Sequence, residues 1–481
     1  METWSSRGGF IMAAVGSAVG IGNIWRFATV VGQNGGGAYL LPFLLAVSAL
    51  AVPLMVLELA AGRRLRASLV TALRGLSPRL EVVGWLIATV VFTILSYYLV
   101  ITGWTLAFFA GTATGQDIRF DSFTSSLAPV AAFAVSTLCV GAVVSLGVRA
   151  GIERVSTVLM PAALVILLVL FLYSTTLSGF GQGLRFLFQP DFSVLAEPAL
   201  WSAAVGQAFF SLSVGFGILL TYGSYTDAQT SLLRSAVIVA IADVVVALVA
   251  GITLFAVVFT YGLTPAAGAE LAFSSLPIAF DQMPGGRWLA PAFFLLLFLA
   301  ALTSAVSMLE LSVAAVLDRT RLTRRAAAAL LTVLVALLGL PSALSYSSLD
   351  LQVRGWRVLD LLDETVGTMA LPVSALVIAL AVMHYLPRGW LAAEVGLSGS
   401  RLGAMLETAV RFVVPAVLIL ITVSRVGLNI DPPGWHQVTV RALGAPLQVV
   451  LTVVLAAALL ASTLVVVGAL RHRWPPRKRP R

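Results

Sequence analysis

The sequence predicts an all-α polytopic membrane protein of 12 transmembrane helices, and three observations carry that prediction. The first is composition: of 481 residues, 59% are hydrophobic and 11% charged, with a mean hydropathy of +1.00. A soluble domain carries roughly a quarter charged residues, and surface-to-volume scaling leaves a water-soluble body no interior large enough for so much apolar area. The second is the recurrence of apolar stretches long enough to cross a bilayer core. The third is the uneven placement of arginine between those stretches.

In chain order the spans are expected at 10–33, 38–61, 82–113, 127–147, 156–178, 198–225, 233–262, 287–318, 323–342, 358–385, 403–427 and 443–470. The first is rich in glycine rather than leucine and begins almost at Met1, so no cleavable signal peptide is expected. A single membrane domain over 1–470 is expected, followed by a basic tail at 471–481.

Lys478 is the only lysine, which leaves 29 arginines, most of them in short loops. With both termini in the cytoplasm, 21 basic residues fall in inside segments and seven in outside loops. That bias sets the orientation and requires an even number of crossings. It also accounts for the net charge of +9 without nucleic acid. The lone Cys139 excludes an internal disulfide, and three distant histidines (His384, His436, His472) argue against a metalloenzyme. No nucleophile and base pair suggests catalysis, so no enzyme activity is expected.

Two spans carry helix-breaking segments: Gly16-Ser-Ala-Val-Gly20-Ile-Gly22-Asn23 in the first and Ser211-Leu-Ser-Val-Gly215-Phe-Gly217 in the sixth. Glycine lowers helix stability by about 1 kcal/mol relative to alanine, and irregular backbone at membrane depth survives only where it lines a cavity. Interrupted helices five spans apart point to an inverted-repeat transporter with its site at the midplane. Asp243 lies in the apolar run VIVAIADVVVALVAG, where a charge is costly unless answered. A bound cation answers it, with the Asp243 carboxylate, the Asn23 amide, the hydroxyls of Ser211, Thr303 and Ser304, and freed carbonyls as oxygen ligands. Such a set suits Na⁺ or another hard cation.

The motifs VGSAVGIGNIWRF, NGGGAYLLPF, PLMVLELAAGRR, GIERVSTVLMP, GQAFFSLSVGFGILLTYGSY, ALTSAVSMLE and DLLDETVGTMALP follow one another along the chain. Together they resemble the neurotransmitter:sodium symporter family, and in particular its bacterial, LeuT-like amino-acid carriers. The resemblance covers about residues 4–470. It implies an inverted five-helix repeat, helices 1–5 over about 8–180 and helices 6–10 over about 195–388, with unwound helices 1 and 6 and with helices 11 and 12 over 403–470. It also implies Na⁺-driven uptake of an amino acid across the cell membrane, with no obligate protein partner.

Carried residue by residue, the resemblance implies a first Na⁺ site of the Ala18 carbonyl, Asn23, Ser211 and Asp243, completed by the substrate carboxylate. A second Na⁺ site would use carbonyls of Gly16, Val19 and Ala300 with the hydroxyls of Thr303 and Ser304. Substrate contacts are implied at Ala18, Gly20, Ile21, Gly22, Ile94, Tyr98, Phe210, Ser211, Ser213, Phe216, Ser304 and Met308. The resemblance further implies Tyr98 and Phe210 as a lid, Arg26 and Asp363 as an outer ion-pair gate, and Asp318 as the remaining half of an inner gate. Gly151 and Pro161 bracket nine residues of the fifth helix whose unwinding would release sodium inward.

The departures are informative. Positions that supply chloride ligands in animal members hold Phe43 and Ala247 here, and Asp243 stands where many relatives have asparagine. A fixed carboxylate replaces the anion, so no chloride requirement is expected. No arginine precedes Trp4, so inner gating is expected to use another basic residue such as Arg7, or a weaker latch. Gly20 stands where monoamine carriers have aspartate, so the substrate should bring its own carboxylate. The pocket walls favour a hydrophobic or aromatic L-amino acid: leucine, methionine, phenylalanine or tryptophan. Two Na⁺ moving inward with a zwitterion would gain nearly 5 kcal/mol at 100 mV, at roughly 2.3 kcal/mol per charge. The alternatives are an amino-acid sensor without turnover and a proton-coupled carrier.

Overall fold

The computed structural model describes residues 2–189, 192–264 and 271–427. Among the described residues, nine helices are long and apolar enough to cross a membrane, and the bent pair Arg7–Ala18 and Gly22–Gln33 makes a tenth. That pair is span 1, bent by 55° at residues 19–21. Spans 2 to 5 follow at Gly36–Leu65, Leu80–Ala113, Ala128–Ser145 and Val148–Ser174. Span 6 is split into Pro198–Ser211 and Ile218–Ser224, each half too short to cross alone. Spans 7 to 11 are Leu232–Thr260, Gly286–Arg319, Arg324–Ser345, Val358–Tyr385 and Arg401–Val423. The expected twelfth span, 443–470, and the basic tail, 471–481, lie outside the described residues.

Burial ranks the spans. In span 8, 83% of the central window is buried, against 28% in spans 5 and 11, so span 8 is the core around which the others pack. Spans 1 and 6 run in opposite directions beside it. Trp4, at the start of span 1, donates its indole N–H to the Tyr222 carbonyl at the end of span 6, at 3.1 Å. At the breaks, the Ser213 hydroxyl donates to the Ser17 carbonyl at 2.7 Å. The two interruptions therefore face each other at the middle of an antiparallel pair, the arrangement expected of inverted repeats.

Close backbone approach holds this centre. A Cβ on Gly62 would lie 1.8 Å from the Leu220 carbonyl oxygen, and one on Gly223 would lie 2.4 Å from that of Leu59. Small residues at such contacts let membrane helices pack with their backbones touching. Glu58, fully buried on span 2, accepts the Gly215 N–H at 2.6 Å and so holds the unwound part of span 6. Ser213, Gly215 and Gly217 all have positive φ there (52°, 88° and 75°).

The main error in the expected boundaries concerns span 5, which starts at Val148 rather than 156. Residues 148–153 form a π-helical turn continuous with the α-helix, which brings Arg149, Glu153 and Arg154 into the span. Glu153 is buried because Ser5 and Ser6 bond its carboxylate.

Candidate ion and substrate site

Three side chains from three spans meet beside the break in span 1. Asn23 donates its amide N–H to Asp243 Oδ1 at 2.6 Å and to Ser211 Oγ at 2.8 Å. The Ser211 hydroxyl lies 2.9 and 2.8 Å from the two Asp243 oxygens. Asn23 Oδ1 accepts the Gly20 N–H at 3.0 Å, so the amide spans the helix break as a strap. Asp243 and Asn23 are wholly buried. The expected first set of Asn23, Ser211 and Asp243 is thus assembled, and Ala18 lies at the C-terminal end of the half-helix that stops beside it.

A second oxygen cluster forms between span 1 and span 8. Ser304 Oγ lies 3.2 Å from the carbonyl oxygens of Gly16 and Ala300 and 3.3 Å from that of Ser17. Thr303 Oγ1 lies 3.0 Å from the Ala300 oxygen and 3.5 Å from the Met160 sulfur. Gly16, Ala300, Thr303 and Ser304 converge as expected, while Val19 marks the point where the backbone leaves the helix at ψ 102°. The Ser17 carbonyl and Met160 were not anticipated. Serine next to the breaking glycines was the available signal for the first, and no sequence pattern marks the second.

Between the clusters lies a cavity lined by Ser17, Ala18, Gly20, Gly22, Asn23, Tyr98, Phe210, Ser211, Ser213, Phe216, Ser304 and Met308. Ten of the twelve expected substrate contacts are therefore in its wall. The other two, Ile21 and Ile94, are buried but do not line this cavity. Ile94 stands one helical turn before Tyr98, and the longer tyrosine fills that approach, its hydroxyl 3.1 Å from the position of a Cβ on Gly20. Ile21 packs its side chain into the surrounding core. Among the lining residues there is no acidic or basic side chain.

The lid is layered. Phe210 lies across Gly22, its Cε1 only 2.8 Å from where a Cβ would stand, and the Arg26 guanidinium caps the ring at 4.4 Å from the centroid. Beside this lid, Asp363 Oδ1 and the Tyr97 hydroxyl both crowd Gly367.

At the N-terminal end of the bundle, Asp318 accepts the Ser68 N–H at 2.9 Å, at the start of the helix Leu69–Leu76. The expected basic partner, Arg7, is exposed. Glu2 pairs with Arg324 at 2.7 Å. Gly151 and Pro161 lie in a continuously wound span 5. Gly151 there lets spans 4 and 5 touch, since a Cβ would meet the Val143 oxygen at 2.1 Å. Glu407 accepts the Gly389 and Leu391 N–H groups at 2.9 and 3.1 Å.

Broken antiparallel spans, oxygen clusters at the breaks and a cavity between them define a membrane carrier with a midplane site. The sequence profile of the Sodium:neurotransmitter symporter family matches residues 1–124 and 117–471. The chain belongs to that family, whose members are transporters, not enzymes. It is 36% identical over 442 residues to an uncharacterized sodium-dependent transporter, YhdH, of Bacillus subtilis (strain 168), covering 88% of this chain and 98% of that protein. It is 30% identical over 292 residues to the sodium-dependent neutral amino acid transporter B(0)AT2 of Bos taurus, 53% of this chain and 40% of that protein. Among solved structures it is similar to MhsT in complex with L-phenylalanine, with a TM-score of 0.82, 39% identity, and coverage of 88% of this chain and 99% of that one.

Proposed function

We propose that the protein imports a hydrophobic or aromatic L-amino acid together with two Na⁺ by alternating access, without a chloride requirement. The observation that carries this reading is the Asn23–Ser211–Asp243 cluster, a buried carboxylate at the rim of a cavity that has no charged side chain of its own. A buried charge without a counter-ion is costly, and a hard cation held by oxygens answers it.

In this mechanism Na⁺ binds between Asp243, Ser211, the Ala18 carbonyl and Asn23. Asn23 turns its amide so that oxygen faces the ion. That turn releases the Gly20 N–H, which then donates to the substrate carboxylate together with the Tyr98 hydroxyl. Ion and substrate binding are coupled through one side chain. The second ion takes the Gly16, Val19, Ala300, Thr303 and Ser304 oxygens, and unwinding between Gly151 and Pro161 releases it inward. Phe216, Met308 and Phe210 wall the side-chain end of the cavity, which supports an apolar substrate. The arginine distribution supports a plasma-membrane orientation with both termini cytoplasmic.

The test is uptake into proteoliposomes of a panel of labelled L-amino acids, with Na⁺ or K⁺ outside and chloride or gluconate as anion. Uptake of an apolar amino acid that needs Na⁺ and ignores chloride supports the reading. Uptake without Na⁺ dependence overturns it, and Na⁺-dependent binding without accumulation identifies a sensor.

A further inference from the structure

The segment Glu2–Ser6 makes a dense set of bonds for a chain end, and these converge on the first turns of spans 5 and 9. Glu2 Oε1 lies 2.7 Å from Arg324 Nε, and Glu2 Oε2 accepts the Val148 N–H at 2.7 Å. Arg324 also holds both oxygens of Glu310, at 2.7 and 3.0 Å, and Glu310 accepts the Tyr225 hydroxyl at 2.7 Å. Trp4 is buried against Tyr222 and Tyr225 and donates its backbone N–H to the Tyr225 carbonyl at 3.2 Å. Ser5 donates from its backbone and its hydroxyl to Glu153, at 2.8 and 2.5 Å.

We propose that Glu2 is the positioning residue of the cytoplasmic closure: an acidic latch that ties the start of span 1 to the first turns of spans 5 and 9 at once. Arg324 is shared between a fully buried carboxylate, Glu310, and a partly exposed one, Glu2. Losing Glu2 leaves the guanidinium paired and costs no buried charge, so Glu2 is the partner that can let go. Its second oxygen occupies the helix-start N–H of Val148, which water satisfies once the latch opens. Release therefore frees Trp4 and the strand of bonds to Glu153 without breaking the core pair. Asp318 accepts the Ser68 N–H and stands outside this set of bonds. The naming of this face as cytoplasmic rests on the proposed orientation.

The test is thiol accessibility, which needs no substrate. In a Cys139→Ser background, Ser156→Cys places a thiol on span 5 three residues after Glu153, on the helix face that Glu153 shares, and Ser156 is buried in the closed form. Labelling by a charged, membrane-impermeant maleimide in inside-out vesicles is expected to quicken about fivefold with Glu2→Gln, the size of a partly exposed ion pair. Asp318→Asn is expected to leave the rate unchanged. An unchanged rate with Glu2→Gln, or an equal rise with Asp318→Asn, overturns the proposal. Na⁺-dependent amino-acid binding measured on the same vesicles judges the proposed function separately, since the labelling comparison stands whether or not substrate binds.

Discussion

Asn23 and Asp243 stand 220 positions apart and meet at 2.6 Å, amide nitrogen to carboxylate oxygen, with both side chains fully buried. The contact joins the break in span 1 to the middle of span 7. It places the one uncompensated carboxylate of that span where a cation and a substrate carboxylate would both be felt.

Removing that charge gives the first prediction. Asp243→Asn keeps the shape of the cluster and removes its negative charge. The Na⁺ concentration for half-maximal uptake is expected to rise about tenfold, the factor that corresponds to 1.4 kcal/mol, and chloride is expected to begin to stimulate uptake. The comparison is Na⁺-dependence curves in chloride and in gluconate. Identical curves for parent and variant would remove Asp243 from the ion site.

A second prediction concerns Gly20. A Cβ there would lie 2.9 Å from the Ser304 hydroxyl and 3.1 Å from that of Tyr98, inside ordinary contact distance. Overpacking of this kind costs about 1–3 kcal/mol, so Gly20→Ala is expected to weaken Na⁺-dependent amino-acid binding by about five- to 150-fold in folded protein. Equilibrium binding of labelled substrate in detergent measures it, and unchanged affinity would show that the cavity has slack at this point.

Glu58 supports the site from behind. Glu58→Ala leaves the Gly215 N–H unsatisfied in a water-free interior, a loss of about 1–3 kcal/mol. Thermal stability in detergent should fall, while Glu58→Gln, which still accepts a hydrogen bond, should fall less. Equal stability of Glu58→Ala and parent protein would mean that span 6 finds another acceptor.

Two glycines make a paired prediction for packing. Gly62→Ala drives a methyl group to 1.8 Å from the Leu220 oxygen and is expected to reduce folded yield sharply. Gly75→Ala, in the helix Leu69–Leu76 with nothing within 4 Å of the new methyl, should be neutral or slightly stabilising. Size-exclusion profiles after heating separate the two, and matching profiles would contradict the close approach of spans 2 and 6.

Much of this molecule was determined by sequence alone, for a physical reason. Lipid forbids unsatisfied backbone, so apolar length, glycine breaks and an isolated Asp243 each have few permissible meanings. Eleven spans, the two interruptions and the oxygen ligands Asn23, Ser211, Asp243, Thr303 and Ser304 were legible in that way, while their division into two sets and most of the cavity wall were legible only through the family resemblance. Tertiary structure decided what depends on partners distant in the chain. The buried Glu153 finds its donors in Ser5 and Ser6, 148 and 147 positions away, and Asp318 finds the Ser68 N–H on another element. Glu2 carried no signal at all, because a single acid near a chain end acquires meaning only when Arg324 and Val148 are brought to it. Local rules identify which groups cannot be left alone in a membrane, and only packing selects the partner each one finds.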